Sequence, residues 1–585
     1  MDISAVSHRS SYCECCAYDE NRVIVTLKTA KDVDKAYIIH EDPFIHQLKR
    51  LSEWSGVKTE MTDKIELEHN FIWKTTVIPR YKRLQYYFIV ESNGEKYFVF
   101  ENRICSENDV KKRAKQYFKF PWLNPADVIT PPKNISNMMW YQIMPDRFCK
   151  SETADSRNNN FMEWGKTVNT HSRDKFGGDL KGITQRLDYL KDIGIGGVYF
   201  TPVFVSDTYH RYNTFDYKNI DKDLGTNDDM AELVRKAHSL GMKVMLDGVF
   251  NHCGIEFFAW KDVVENGRKS KYADWFFLNS DNIIIKDNYD TGDGRFYSFS
   301  FWTGMPKLNT NNDEVIKYFS DICLDWVKKW DIDGIRFDVG DEVSHKFIRE
   351  LRRTLKPVKP DIFLLGEIWI DSVEWLDGNE YDSVMNYPFA NCIWDFYKDS
   401  TLTSRDIMYQ LNRCMTMYPK QITEVLFNFL DTHDTERISE SCNGNIDILI
   451  QKLALLVTMP GSPCIYYGTE LALKGMNKND NRQCMLWDKI ENGSYDDILS
   501  ETKQLIRLRS SEPLCADADM HFIHHDDMPR VLHIIKGCNE SEKKLGIIIN
   551  AGSSDFIFND DVNIVYSKLF SGNTLSPNGT LIYTK

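Results

Sequence analysis

LKGITQRLDYLKDIGIGGVYFTPVF, residues 180–204, carries two periodicities in succession. Leu180, Ile183, Leu187 and Leu190 recur at helical spacing on one face, and the apolar run 197–201 that follows is short and strand-like. The alternation continues. Met230, Leu233, Val234, Ala237 and Leu240 make a second helical face, with Asn227 placed to cap it, Gly241 just past its end and 243–248 as the next strand. Eight strand-like runs fall at 138–144, 197–201, 243–248, 334–338, 362–367, 383–387, 425–430 and 463–467, with helices between most of them. The pattern predicts a (β/α)8 barrel, the TIM-barrel form of the α/β class, in which chemistry sits at the C-terminal ends of the strands. The catalytic barrel is expected over 126–510, with the long irregular stretch 253–304 as a subdomain inserted after strand 3.

The flanks read differently. Residues 1–125 hold short strands at 22–28, 35–40, 71–77, 84–90 and 96–101, the fourth running into the turn Ser92-Asn93-Gly94. They predict an N-terminal, immunoglobulin-like β-sandwich, joined to the barrel by a linker at Pro125 and Pro131-Pro132. From 511 to 585 strand patterns return at 531–535, 544–550, 555–558 and 563–566, a C-terminal antiparallel β-domain.

The chain has a net charge of −14. That surplus argues against nucleic acid as a partner, which requires a basic footprint, and against anionic membranes. No apolar run is long enough for a membrane span, and the start, MDISAVSHRSSYCECC, lacks the basic head and apolar stretch of a leader, so a cytoplasmic location is expected. The 14 cysteines are then read as reduced and mostly buried thiols. Cys13, Cys15 and Cys16 lack the second cysteine pair or histidine pair of a zinc site.

Acidic and polar residues gather where barrel strands end: Asp247 with Asn251-His252, Arg336 with Asp338, Glu367 with Trp369, and His433-Asp434. Each alone reads as a turn or cap residue, but the barrel brings all four ends to one rim. Two carboxyls flanking a glycosidic bond are the minimum equipment for its hydrolysis. Asp338 lies two residues after Arg336, on the same side of the strand, so the guanidinium is expected to keep it ionised as a nucleophile. Glu367, followed by apolar Ile368 and Trp369, is expected to hold its proton as the general acid.

These blocks resemble the α-amylase superfamily, glycoside hydrolase family 13, and within it the neopullulanase, cyclomaltodextrinase and maltogenic amylase group. DGVFNH (247–252), GIRFDVGDEV (334–343), GEIW (366–369) and FLDTHD (429–434) are similar to its four main blocks, and MPKLN (305–309) to the subgroup's marker. YQIMPDRF (141–148), FGGDLKGITQRLDYL (176–190) and SVMNYPF (383–389) extend the match. The resemblance implies Asp338 as nucleophile, Glu367 as acid/base and Asp434 as the third acid. It further implies that Arg336, His252, His433, His210, Tyr212, Asp247 and Trp369 serve substrate binding around the reacting glucose. It also implies an N-terminal module, like a carbohydrate-binding module, that pairs two subunits in a homodimer and narrows the partner's cleft.

Three positions depart from that pattern. A calcium loop is usual after strand 1, but Lys150 and Ser156 stand where oxygen ligands belong. Asp155, Gly178 and Asp179 remain as weak candidate ligands, so no cofactor is expected to be required. Gly340-Asp341 replaces Ala-Asn, and Ile370 a common histidine. The reading is a retaining α-glucan hydrolase acting on maltooligosaccharides, cyclodextrins and pullulan at α-1,4 and some α-1,6 bonds. The alternatives are a mainly transferring or exo-acting α-glucosidase, and a binding protein without catalysis, which retention of all three acids disfavours.

Overall fold

All eight strand-like runs enter one parallel sheet. The computed structural model describes residues 1–585 other than 12, 113, 133–134, 157, 159, 167–173, 282, 284–289, 477–479 and 538–542; Cys538 and part of the 253–304 insertion lie outside the described residues. Barrel strands 1 to 8 are Met139–Ile143, Ile195–Phe200, Lys243–Gly248, Gly334–Phe337, Phe363–Gly366, Ser383–Val384, Phe427–Asn428 and Ser462–Tyr466. Their order in the sheet is 6-5-4-3-2-1-8-7. Met385 bridges Phe427 in parallel, so strand 6 meets strand 7 and the sheet closes. Trp140, Tyr199, Met245, Phe363 and Phe427 fill the interior as a packed core rather than a pore.

Helix Leu180–Ile193 buries the four leucine and isoleucine positions read from its periodicity, and Asp179 caps it by accepting from the Gly182 N–H. The next helix, Asn227–Ser239, corrects one expectation. Its cap is Thr226, which forms a reciprocal box with Asp229, while Asn227 turns its side-chain oxygen to the Ile220 N–H. Two adjacent cap-forming side chains compete there, and the strand before the helix takes one of them.

By packing the chain falls into two units, residues 1–130 with 376–378 and 401–423, and the remainder. In the first, the strands Cys15–Ala17, Val23–Ala30, Asn70–Val77 and Asp63–Glu66 make one antiparallel sheet. Val57–Glu60, Lys35–Glu41, Leu84–Ser92, Glu95–Phe100 and Arg103–Ser106 make the other, with Phe118–Phe120 alongside Leu84–Ser92. Val25, Leu27, Ile38, Trp73, Tyr86 and Phe88 form the core between them. The expected hairpin is present: Asn93 and Gly94 have φ of 52° and 79°, as a two-residue turn matching strand twist demands. Helix Ser404–Thr416, read from the sequence as barrel, belongs by packing to this unit. Asn412 Nδ2 donates to the Glu66 carbonyl at 2.8 Å, and Tyr409 and Lys31 meet at the Glu66 carboxylate. Cys15 and Cys16 sit in this unit with their thiols pushed up to about 12 by burial, which keeps them protonated.

The C-terminal sheet, in the second unit, holds a strand that the sequence pattern hides. Thr574–Thr584 runs through its middle, paired with Leu545–Asn550 on one side and with Asn563–Ser571 and Phe556–Ile557 on the other. Its Pro577-Asn578-Gly579 reads locally as a turn; Asn578 takes φ 63° and the strand continues through the irregularity.

Candidate active site

Strand register builds the rim. Asp247 on strand 3 is the lateral partner of Arg336 on strand 4, and Phe337 pairs with Gly366, so Asp338 and Glu367 emerge side by side just past the strand ends. Arg336 is fully buried and joins three carboxylates. Its Nη1 contacts Asp247 Oδ1 at 2.9 Å, Asp247 Oδ2 at 2.8 Å and Asp338 Oδ1 at 2.9 Å, and its Nη2 contacts Glu367 Oε2 at 2.7 Å. Asp247 also accepts from the hydroxyls of Tyr199 at 3.0 Å and Tyr212 at 2.9 Å.

This arrangement revises two sequence expectations. Arg336 and Asp247, expected to bind substrate, are buried in this cluster and are not among the residues that line the cleft. Nor does the guanidinium hold Asp338 alone at a low pKa, because it is shared with Asp247 and Glu367. Burial, with the neighbouring carboxylates of Glu367, Asp247 and Asp434, pushes Asp338 well above the usual carboxylate range against the opposing pull of Arg336. Replacing Arg336 with Met would leave this acidic cluster uncompensated. A loss of about 3–5 kcal/mol in stability by urea unfolding is expected, the cost of breaking a buried ion pair from one side; a change below 1 kcal/mol would show that the cluster simply takes up protons.

A cleft of about 610 Å³ opens over these acids. Asp338 and Glu367, each 6% exposed, form its floor. Asp434 approaches from the loop after strand 7, held by Arg482 at 3.1 Å, with His433 Nε2 2.9 Å from its other oxygen. Tyr212 lies face to face with His433, ring centroids 5.2 Å apart, and His210 also stacks near Tyr212 at 6.0 Å. His252 Nε2 donates to the Tyr212 carbonyl at 3.0 Å, and its ring stacks on Phe299. Trp369, expected among the substrate-binding residues, is 51% exposed and lines the cleft, braced against Tyr387 with centroids 3.8 Å apart. The expected site residues thus converge on one place.

Others were not anticipated. Arg482, 48 positions beyond Asp434, places its Nε on the His433 carbonyl at 2.9 Å and its Nη2 on Asp434. Gln142 at the end of strand 1 holds His433 Nδ1 at 2.9 Å. Phe299 and Met305 come from the insertion and the segment after it. Gln142 and Met305 lie inside the quoted blocks YQIMPDRF and MPKLN without an acidic partner beside them, and Arg482 and Phe299 lie in no quoted block, so no local signal gave any of them this role. Asp341 and Glu342 also line the cleft; Glu342 pairs with Lys307, which reaches Asn251 as well.

The calcium candidates do not fit a metal. Lys150 Nζ sits 2.6 Å from Asp155 Oδ1. Asp179 spends its oxygens on the N–H groups of Gly182 and Ser151 and on the Ser151 hydroxyl. Gly178 is where it is because a Cβ there would stand 2.2 Å from the Pro145 carbonyl oxygen. These groups are a helix cap, an ion pair and a close backbone approach, with no oxygen cage among them. Among the described residues no group of three or more His, Cys, Asp or Glu is placed to hold a metal ion.

Burial sets a pH dependence. His252 is pushed down to about 3, and His533 in the C-terminal sheet to about 4, by desolvation. Unfolded histidine titrates near 6.5, so as the pH falls below that value the unfolded chain takes up protons that these folded rings refuse. The stability they carry is complete above pH 6.5 and is lost on acidification, at up to about 1.4 kcal/mol per pH unit for each ring. Tm should therefore fall steadily from pH 6.5 to 4.5; a flat Tm over that range would mean the rings charge while folded.

Residues 142–511 match the family described as alpha amylase, catalytic domain, and residues 1–124 that described as alpha amylase, N-terminal ig-like domain. The chain belongs to the alpha-amylase family of glycoside hydrolases. It is 38% identical over 514 residues to an intracellular maltogenic amylase of Bacillus subtilis (strain 168), covering 88% of this chain and 85% of that one. It is 37% identical over 558 residues to a cyclomaltodextrinase of Geobacillus thermopakistaniensis (strain MAS1), covering 94% and 91%. A solved cyclomaltodextrinase structure superposes with a TM-score of 0.90 at 31% identity over 100% of both chains. No helix among the described residues is long and apolar enough to cross a membrane.

Proposed function

We propose that this chain hydrolyses the α-1,4-glucosidic bonds of maltooligosaccharides, cyclodextrins and pullulan, and some α-1,6 bonds, with retention at the anomeric carbon. The observation that carries the reading is the single guanidinium of Arg336 reaching both Asp338 and Glu367 at the floor of the cleft. Two carboxyls sharing one guanidinium suit the nucleophile and acid/base pair of a retaining enzyme, whose carboxyls stand about 5–5.5 Å apart. In this reading the crowded acids keep one proton on Glu367, so that Asp338, ionised against Arg336, attacks the anomeric carbon while Glu367 protonates the leaving oxygen. Asp434, steadied by Arg482 and His433, holds sugar hydroxyls and favours a distorted ring. The flat faces of Tyr212 and Trp369 suit the apolar faces of glucose. Water, or a sugar hydroxyl, then releases the glycosyl group from Asp338.

The finer reading is an enzyme of the cell interior that acts as a homodimer on short and cyclic glucans. Incubation of the purified chain with maltotriose, β-cyclodextrin, pullulan and soluble starch, followed by NMR of the first product, tests the proposal. The α anomer should appear first, with higher kcat/KM on cyclodextrin or maltotriose than on starch; β product first would refute retention. Light scattering should give twice the chain mass, and a monomer would remove the dimer from the account.

A further inference from the structure

Glu367 has two chemically different oxygens. Oε2 receives the Arg336 Nη2 at 2.7 Å and the Val339 N–H at 2.9 Å. Two donors occupy the two lone-pair directions of one carboxyl oxygen, so an oxygen so placed cannot also carry a proton. Among the described residues Oε1 has only the indole N–H of Trp369, at 3.4 Å. The Val339 donor is held at a cost. Val339 has φ 47°, a left-handed conformation that a β-branched residue rarely adopts. Gly340 follows, donating its N–H to the Glu367 carbonyl at 2.8 Å while its own carbonyl accepts from the buried Tyr381 hydroxyl at 2.9 Å. A Cβ on Gly340 would stand 3.0 Å from that hydroxyl and 3.1 Å from the Glu367 nitrogen, so the chain passes as close as an unsubstituted carbon allows. The strained turn after Asp338 is thus pressed against both the main chain and the carboxyl of Glu367.

We infer that the Val339-Gly340 turn, braced by Tyr381, is a positioning element that reserves Glu367 Oε2 as an acceptor and assigns the transferable proton to Oε1. The inference rests on the proposed role of Glu367. As the bond between C1 and the glycosidic oxygen breaks, its electron pair stays on that oxygen. The oxygen takes the Oε1 proton while an Asp338 oxygen bonds to C1. Glu367 is left as a carboxylate whose Oε2 is already paired, so no donor has to move during transfer. In the second half, water gives its proton back to Oε1 as its oxygen displaces Asp338.

Neutron diffraction from deuterated crystals of the full chain, at the lowest pH the crystals tolerate, should show a deuteron on Glu367 Oε1. A deuteron on Oε2, or none on either oxygen, overturns the assignment, whatever the enzyme's substrate proves to be. Tyr381→Phe tests the brace. It keeps ring volume and touches neither Asp338 nor the cleft, and should lower kcat on maltotriose about tenfold with KM within about twofold. Cleavage of an aryl glucoside whose leaving group needs no proton should change less than about threefold, since a misplaced acid costs only reactions that use it. Equal loss on both substrates would mean the turn supports the fold alone. If the wild-type chain cleaves no glucan, the functional proposal fails and the deuteron position still decides this one.

Discussion

Asp338→Asn is expected to lower kcat on maltotriose by at least about 10⁴-fold, the scale seen when a nucleophile is removed from a catalytic unit whose binding groups remain. The amide is isosteric and uncharged. It relieves the crowding of negative charge that pushes Asp338 upward beside Glu367, Asp247 and Asp434, so the variant should be at least as stable as the wild type. A large loss of activity with an unchanged or raised Tm is therefore the combined signature, one that a folding defect cannot imitate. Activity within tenfold of wild type in a pure sample would move the nucleophile elsewhere. Asp434 would be the next candidate, although its distance from Arg336's shared contacts makes it a weaker one.

Glu367→Gln should cost about 10²–10⁴-fold on natural glucans, the usual contribution of a positioned general acid. Glutamine can turn its oxygen toward Arg336 and Val339 and its NH2 toward the cleft, so the contacts of Oε2 survive. Binding of intact substrate should persist, measurable by calorimetry with β-cyclodextrin. An activated aryl glucoside should be far less affected in the first step, because its leaving oxygen needs little protonation, and the glycosyl-enzyme should then accumulate, since its hydrolysis still requires a base. Mass spectrometry of the quenched reaction would show the adduct on the intact chain. Equal loss on natural and activated substrates, with no adduct, would argue against the acid/base role.

Much of the site was legible because it depends on neighbours in the chain. Arg336 and Asp338, two residues apart on a strand, face the same way, and the structure joins them at 2.9 Å. Asp247, Glu367 and His433-Asp434 each follow an apolar run, and eight such runs separated by helices leave few alternatives to a closed barrel. The helical face of residues 180–190 and the Asn93-Gly94 turn rest on equally local rules, a 3.6-residue period and a need for positive φ.

Charge and partnership were another matter, because they belong to groups brought together by closure of the sheet. The sequence places an arginine next to Asp338; only the barrel shows that the same guanidinium also serves Asp247 and Glu367, and that burial and these neighbouring carboxylates push Asp338 upward against it. Arg482 and Phe299 reach the cleft from irregular segments whose course no periodicity encodes. Helix Ser404–Thr416 has an amphipathic pattern that says it must be covered but not by what, and the N-terminal strands cover it. Val339 looks like an ordinary strand residue, yet it takes a left-handed φ of 47° and donates its N–H to the Glu367 carboxylate. Periodicity is a property of consecutive residues and survives in any context. Which donors a buried carboxylate finds, and what field it feels, depends on residues tens or hundreds of positions away, and so on the folded arrangement alone.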